Sequence, residues 1–252
     1  MSEATLTTPA AGLQTRAQGR DRFFLSMSGA LLLILLIGFS PTLYLRLFFD
    51  VPPIPFYLHV HGATVTAWFV WLVFQASLVN VNRVDVHRRI GIAGAVLGAA
   101  VVPGGLMATL QVVGRLPELG LELEAAIYFI SWVIWVNFHM LLGFVGFLAV
   151  ALLLRRRTDI HKRLMLLASI SLIPPALARI SAWFGWVLEQ EIIVVTITWL
   201  LLLVPMFLHD LIVEKRVHKA TALGGLCFVL VVLAPVVIAR TEFAQEFVRG
   251  LM

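Results

Sequence analysis

The sequence predicts an all-α, polytopic membrane protein with seven transmembrane helices, its N-terminus cytoplasmic and its C-terminus outside. Composition is the first support: 60% of the 252 residues are hydrophobic and 13% charged. A soluble domain carries about 45–50% and about 25%. A soluble sphere has no way to hide that much apolar surface, so a bilayer must act as the solvent. Periodicity of length is the second: seven apolar runs, near 24–48, 54–80, 90–113, 125–154, 164–188, 191–212 and 219–239, each approach or exceed the roughly 20 residues a crossing needs. Charge is the third. Fourteen of the 19 Lys and Arg fall in alternate segments, namely the N-terminal tail and the turns at 81–89, 155–163 and 213–219. Cationic loops stay on the cytoplasmic side, which gives the orientation.

Residues 1–22 read as a disordered cytoplasmic tail, 23–240 as the membrane domain, and 241–252 as a short external tail. The run after the tail far exceeds the roughly 7–15 residues of a signal-peptide core, so it reads as a retained first helix. The net charge of +5 is an orientation signal and not a nucleic-acid footprint. A cytosolic enzyme, a disordered chain and a nucleic-acid-binding domain are all excluded. One cysteine, Cys227, excludes an internal disulfide framework and any Cys-based zinc or iron–sulfur site. Trp183 and Trp186 sit where an aromatic belt meets the outer interface. Gly91, Gly94 and Gly98, with Ala95 and Ala99, give the third span a small-residue face that predicts close packing and a central position.

The histidines are grouped. His87, His161, His209 and His218 lie at cytoplasmic helix ends. Two of them occupy near-identical turns, Asp85-Val-His87-Arg-Arg-Ile and Asp159-Ile-His161-Lys-Arg-Leu, in which each Asp is placed to cap the next helix. The inner turns make spans 2–3, 4–5 and 6–7 three similar hairpins. Two readings of the inner face stand side by side. One is interfacial, with capping Asp, and with Arg, Lys and His against anionic head groups. The other makes His87, His161, His209, Asp210 and His218 a transition-metal site or a proton relay.

Deeper in the membrane lie His61, His139 and Arg179, roughly 22–28 Å from the inner helix ends at about 1.5 Å per residue. His61 aligns at heptad spacing with Trp68 and Gln75, a semi-polar stripe that should face the bundle interior. No acid lies in any span centre to pair with Arg179, and an intramembrane cation marks function by default. Its candidate partners are carbonyls freed by Pro174-Pro175, Asn137, Thr196, Thr198, or an anionic ligand such as a haem propionate, a quinone oxygen or a lipid phosphate. The alternative is snorkelling to the outer interface. Haem between His61 and His139, with Arg179 nearby, is the sharpest cofactor reading.

Leu58-x2-His61-Gly62 with Trp68, His87-Arg-Arg-Ile-Gly91, His161-Lys-Arg-Leu-Met-Leu-Leu-Ala168, Pro175-Ala-x-Ala-Arg179, His209-Asp210-Leu and Arg216-Val-His218 together resemble a family of uncharacterised bacterial seven-span membrane proteins. The resemblance covers about residues 55–225 and implies no established activity. It implies that the inner histidines and Arg179 belong to one pattern. Cytochrome b561-like proteins are similar in holding histidines near both faces, but no helix here carries both partners of a haem pair. The adiponectin-receptor and haemolysin-III group is similar in span number and orientation, without its His-x3-His. The expectation is therefore a bacterial inner-membrane protein in contact with the lipid bilayer, redox-related through haem or a metal. A small-solute or proton-coupled transporter and an accessory membrane subunit are the alternatives. A homo-oligomer or a membrane-complex partner stays open.

Overall fold

The computed structural model describes residues 9–252, with side chains from Arg22 onward except that of Leu119. The described residues form helices joined by turns and short loops, without a strand. Among the described residues six stretches are long and apolar enough to cross a membrane: Arg22–Tyr44, Phe56–Asn80, Val84–Leu110, Glu124–Leu153, Leu188–Glu214 and Lys219–Ile238. The protein is accordingly a multi-pass membrane protein by length and composition. The expected run at 164–188 is not one straight helix. It comprises α-helical segments Thr158–Ser171 and Pro174–Ala182, which meet at a 43° bend.

Helix α1 (Pro9–Phe39) begins earlier than the apolar run, and the part of the expected tail before Pro9 lies outside the described residues. At its far end Pro41 has no N–H for the Ile37 carbonyl. The ladder slips to a π-turn over Ser40–Tyr44, closed by Leu45 N donating to Ser40 O at 2.8 Å. Next come α2 (Phe56–Asn80), α3 (Val84–Leu110) and α4 (Ile127–Leu153). Then follow α5 (Thr158–Ser171) and α6 (Pro174–Ala182), the two halves of the bent pair. The stretch 188–214 comprises α7 (Leu188–Leu201), α8 (Val204–His209) and a second π-turn over Asp210–Glu214, with Pro205 accounting for the interruption. Helix α9 (Lys219–Ile238) completes the apolar set, and α10 (Glu242–Arg249) follows it.

Helices exchange lipid contacts for protein contacts that are equally apolar, so hydrogen bonds and close backbone approach decide the arrangement. The α5–α6 break shows both. Pro174 cannot donate to the Ile170 carbonyl, and Trp199 Nε1 of α7 takes that oxygen at 2.9 Å. At the preceding residue, Trp68 Nε1 of α2 donates to Ser169 Oγ at 3.2 Å. Two buried indoles from different helices thus hold the bend. On the other side α1 meets α6 at Gly38, where a Cβ would stand 2.5 Å from the Ala176 carbonyl oxygen.

Helix α4 is the centre of the bundle, packed by α3, α5, α7, α9 and α10, with Ile134, Phe144 and Ala151 fully buried. This corrects the expectation for α3. Its glycine face serves a one-sided approach, Gly98 to Trp68 and Gly105 to Leu141, while Ile92 and Val96 on its other face are exposed. The α2–α3 and α4–α5 pairs pack as the expected hairpins, but α9 packs more on α4 and α5 than on α7.

Within the segment expected as an external tail, residues 242–249 form an amphipathic helix. Thr241 caps it by accepting from Ala244 N at 3.3 Å. Ala244 and Val248 are buried against α4, and Phe243 and Phe247 join Trp135 with ring centroids 6.2 and 5.8 Å away. Arg249 grips Glu124 at 2.8 and 3.0 Å, and that carboxylate raises the guanidinium pKa further above its usual value.

Candidate functional site: a cationic intramembrane cavity

A cavity of about 350 Å³ lies between α1 with its π-turn, α2, α3, α4 and α6. Most of its wall is aliphatic or aromatic, including Leu35, Val101, Val136 and Met140. Its polar wall includes Thr42, His61, Arg115, Asn137 and Arg179, and no Asp or Glu among the described residues lines it. Each is set there by a feature of the chain. The π-turn presents Thr42, and the α5–α6 break starts the short helix that carries Arg179. Contact at Gly38 brings the two segments together.

Arg179 is held on three sides. Its Nε donates to Thr42 Oγ1 at 3.3 Å, its Nη1 to the Pro175 carbonyl at 2.9 Å, and its guanidinium lies 4.1 Å from the centroid of the Phe39 ring. A proline-region carbonyl was expected, but the hydroxyl comes from Thr42 and neither Thr196 nor Thr198 is used. Thr198 donates instead to the Val194 carbonyl at 2.7 Å. No acidic side chain pairs with Arg179 among the described residues, and its Nη2 has no hydrogen bond among them. Arg115, by contrast, is paired with Glu118 at 3.1 Å.

His61 lines the cavity against α3, where a Cβ on Gly104 would approach its Nδ1 to 2.8 Å. That nitrogen is buried without a hydrogen-bond partner, as is Nε1 of Trp132, a wall residue only 3% exposed. The heptad stripe faces inward as expected, with Trp68 and Gln75 both buried. His139 stands apart. It follows Asn137 by two positions, about 200° around the helix, its Nδ1 lies 2.8 Å from the Trp135 carbonyl, and it does not line the cavity. The pair His61 and His139 therefore does not converge on one space that would hold a haem.

At the other end of the bundle the turns 155–163 and 213–219 are joined by an ion network. Arg163 is 1% exposed and Asp210 fully buried, and Arg163 Nη2 donates to Asp210 Oδ1 and, at 2.7 Å, to Glu214 Oε1. Arg163 Nε donates to Thr221 Oγ1 at 3.1 Å and Nη1 to the Asp159 carbonyl at 2.9 Å. Asp210 Oδ2 accepts from the Thr221 hydroxyl and from His218 N at 3.0 Å. The second π-turn aims Asp210 and Glu214 at one guanidinium. Arg163 was not anticipated as a member, since its only sequence signal is a cation beside Lys162 in a basic turn.

The five expected metal ligands do not converge on one point. His87 and His161 have ring centroids 6.4 Å apart, with His161 Nδ1 2.9 Å from the Ala151 carbonyl. His209 stacks on Phe23 at 4.1 Å and stands 3.7 Å from Asp210, beyond hydrogen-bond reach. His218 accepts from Ala220 N at 3.1 Å and so caps α9. Among the described residues no group of three or more His, Cys, Asp or Glu could hold a metal ion. The capping expectation changes too: Asp85 and Asp159 lie in the first turns of α3 and α5, without a side-chain cap bond, where they complement the helix dipole. Comparison with protein-family models, curated proteins and solved structures yields no match to this chain.

Proposed function

We propose that the chain is a seven-span protein of the bacterial cytoplasmic membrane that admits a small solute into the cavity at Arg179, as a solute-binding or proton-coupled transport protein. The bent pair α5–α6 makes the seventh crossing in this reading, with the N-terminus in the cytoplasm and the C-terminus outside. Support for the orientation comes from the basic segments 83–89, 155–163 and 215–219 gathering at one end, where anionic lipid would meet them. The observation that carries the solute reading is Arg179 on the wall of an intramembrane cavity without an acidic partner. A broken helix beside that cavity is a recurrent device of transporters. A redox role is the second reading, favoured by the same open donor, which suits a quinone oxygen. The resemblance to uncharacterised seven-span proteins adds no activity to either.

Ala178 lines the cavity, so Ala178→Cys in a Cys227→Ser background tests access directly. A small water-soluble thiosulfonate should label it in purified protein, while Ile134→Cys on α4, fully buried and not on the cavity wall, stays unlabelled. An unlabelled Ala178→Cys refutes a solute cavity. An absorption spectrum of the same preparation separates the redox reading, which requires a bound chromophore.

A further inference from the structure

The wall of the cavity specifies the chemistry of its occupant. Arg179 spends Nε and Nη1 on a hydroxyl and a carbonyl, both neutral, and keeps Nη2 without a partner among the described residues. A guanidinium offers five donors and no acceptor, and an indole N–H offers a donor alone. Trp132 Nε1 is such a donor, buried and unpartnered in a residue that is 3% exposed. A partly buried cation on a mostly apolar wall is stabilised by a counter-charge as well as by hydrogen bonds, and no carboxylate among the described residues lines the wall. The complement is an oxyanion, an acceptor-only group with full negative charge. Apart from the few polar side chains, among them Thr42, His61, Arg115 and Asn137, the wall is apolar, and its stretch of Leu35, Val101, Val136 and Met140 suits a hydrocarbon chain. At about 350 Å³ the space is near the lower end of small-ligand sites, which run from about 300 to 1,000 Å³, and suits one acyl chain.

We infer that the cavity binds a single-chain amphiphile with an oxyanion head, the head at Arg179 and the chain along the apolar wall. This rests on the solute-accessible cavity proposed above. Arg179 is the binding residue, and Thr42 and Phe39 hold its guanidinium in place. A free carboxylate or phosphate amphiphile and the head group of an anionic lipid share this chemistry.

Binding of decanoate, decanol and decyltrimethylammonium to the full chain in phosphatidylcholine nanodiscs, read by tryptophan fluorescence, tests it. Decanoate should bind saturably and about ten- to a hundredfold more tightly than decanol, the range expected for charge-assisted hydrogen bonds, and the cation should not bind. Arg179→Gln should abolish the preference and Arg179→Lys should keep part of it. The head-group comparison in the unmodified protein stands even where a variant fails to fold. Equal binding of decanoate and decanol, or a preference that survives Arg179→Gln, overturns the oxyanion. If none of the three binds while Ala178→Cys is labelled, the ligand class falls and the cavity reading survives; if neither occurs, both fall. Repeating the titration in phosphatidylglycerol nanodiscs identifies the source. Weakened decanoate binding there assigns the oxyanion to lipid, and unchanged binding assigns it to the free amphiphile.

Discussion

Replacing Arg163 with Met should be among the most damaging single substitutions in the chain. The side chain is 1% exposed and its partner Asp210 is fully buried, so solvent cannot replace the lost charge. Breaking a buried pair by removing one partner costs about 3–5 kcal/mol, because the survivor is left uncompensated. Asp210 would keep two donors, the Thr221 hydroxyl and His218 N, which favours the lower end, about 3 kcal/mol. At about 2–4 °C per kcal/mol for a chain of this size, the melting temperature should fall by roughly 6–12 °C. Thermal unfolding in a fixed detergent or nanodisc measures it. Adding Asp210→Asn removes the more deeply buried of the two carboxylates that Arg163 holds, Glu214 being the other, so the double variant should lose less than the two single costs combined. A loss under about 2 °C for Arg163→Met, or simple additivity in the double variant, would refute the assignment of Arg163 and Asp210 as a coupled pair.

Two further substitutions test what holds the cavity. Gly38→Val places a side chain against the backbone of Ala176, where nothing flexible gives way, so α1 must separate from α6. It should cost about 1–3 kcal/mol through overpacking and also weaken decanoate binding, since Thr42 and Phe39 move with α1; a stable variant with unchanged binding would show that this contact does not set Arg179. Trp199→Phe keeps the ring but removes the donor to the Ile170 carbonyl. The carbonyl keeps Ile173 N at 3.2 Å, so the lost indole bond should cost about 0.5–1.5 kcal/mol, seen as a lower melting temperature, and an unchanged value would mean the bend does not depend on this bond.

Most of the helical layout was legible because a bilayer imposes a length rule that shows in composition alone. The stripe of His61, Trp68 and Gln75 was legible for the same reason, since heptad spacing puts those residues on one face wherever the helix is placed. Depth along a helix was readable too, but direction around it was not. His139 matched His61 in depth, yet it bonds its own helix at Trp135 while Asn137 takes the cavity side. The ion network failed to show for another reason. A cation in a basic turn is ordinarily solvated, and only the fold brings Asp210, 47 residues away, against Arg163. In α10 the signal was present, in Thr241 as a cap and Phe243 with Phe247 one turn apart, but a short polar ending hides an amphipathic helix from any search for apolar runs.

The two π-turns carry a consequence for how the chain tolerates change in length. A π-turn holds one residue more than the α-helical turn it replaces, and such turns concentrate at functional sites. One here presents Thr42 to Arg179, and the other presents Asp210 and Glu214 to Arg163. Each ends its helix, so a one-residue deletion within 40–44 or 210–214 would remove the extra residue and turn the side chains that follow it by about 100°. The long helix before it would be left intact and the site dismantled. Close relatives of this chain should therefore differ from it by single-residue gaps at these turns wherever the Arg179 cavity or the Arg163 network has been lost.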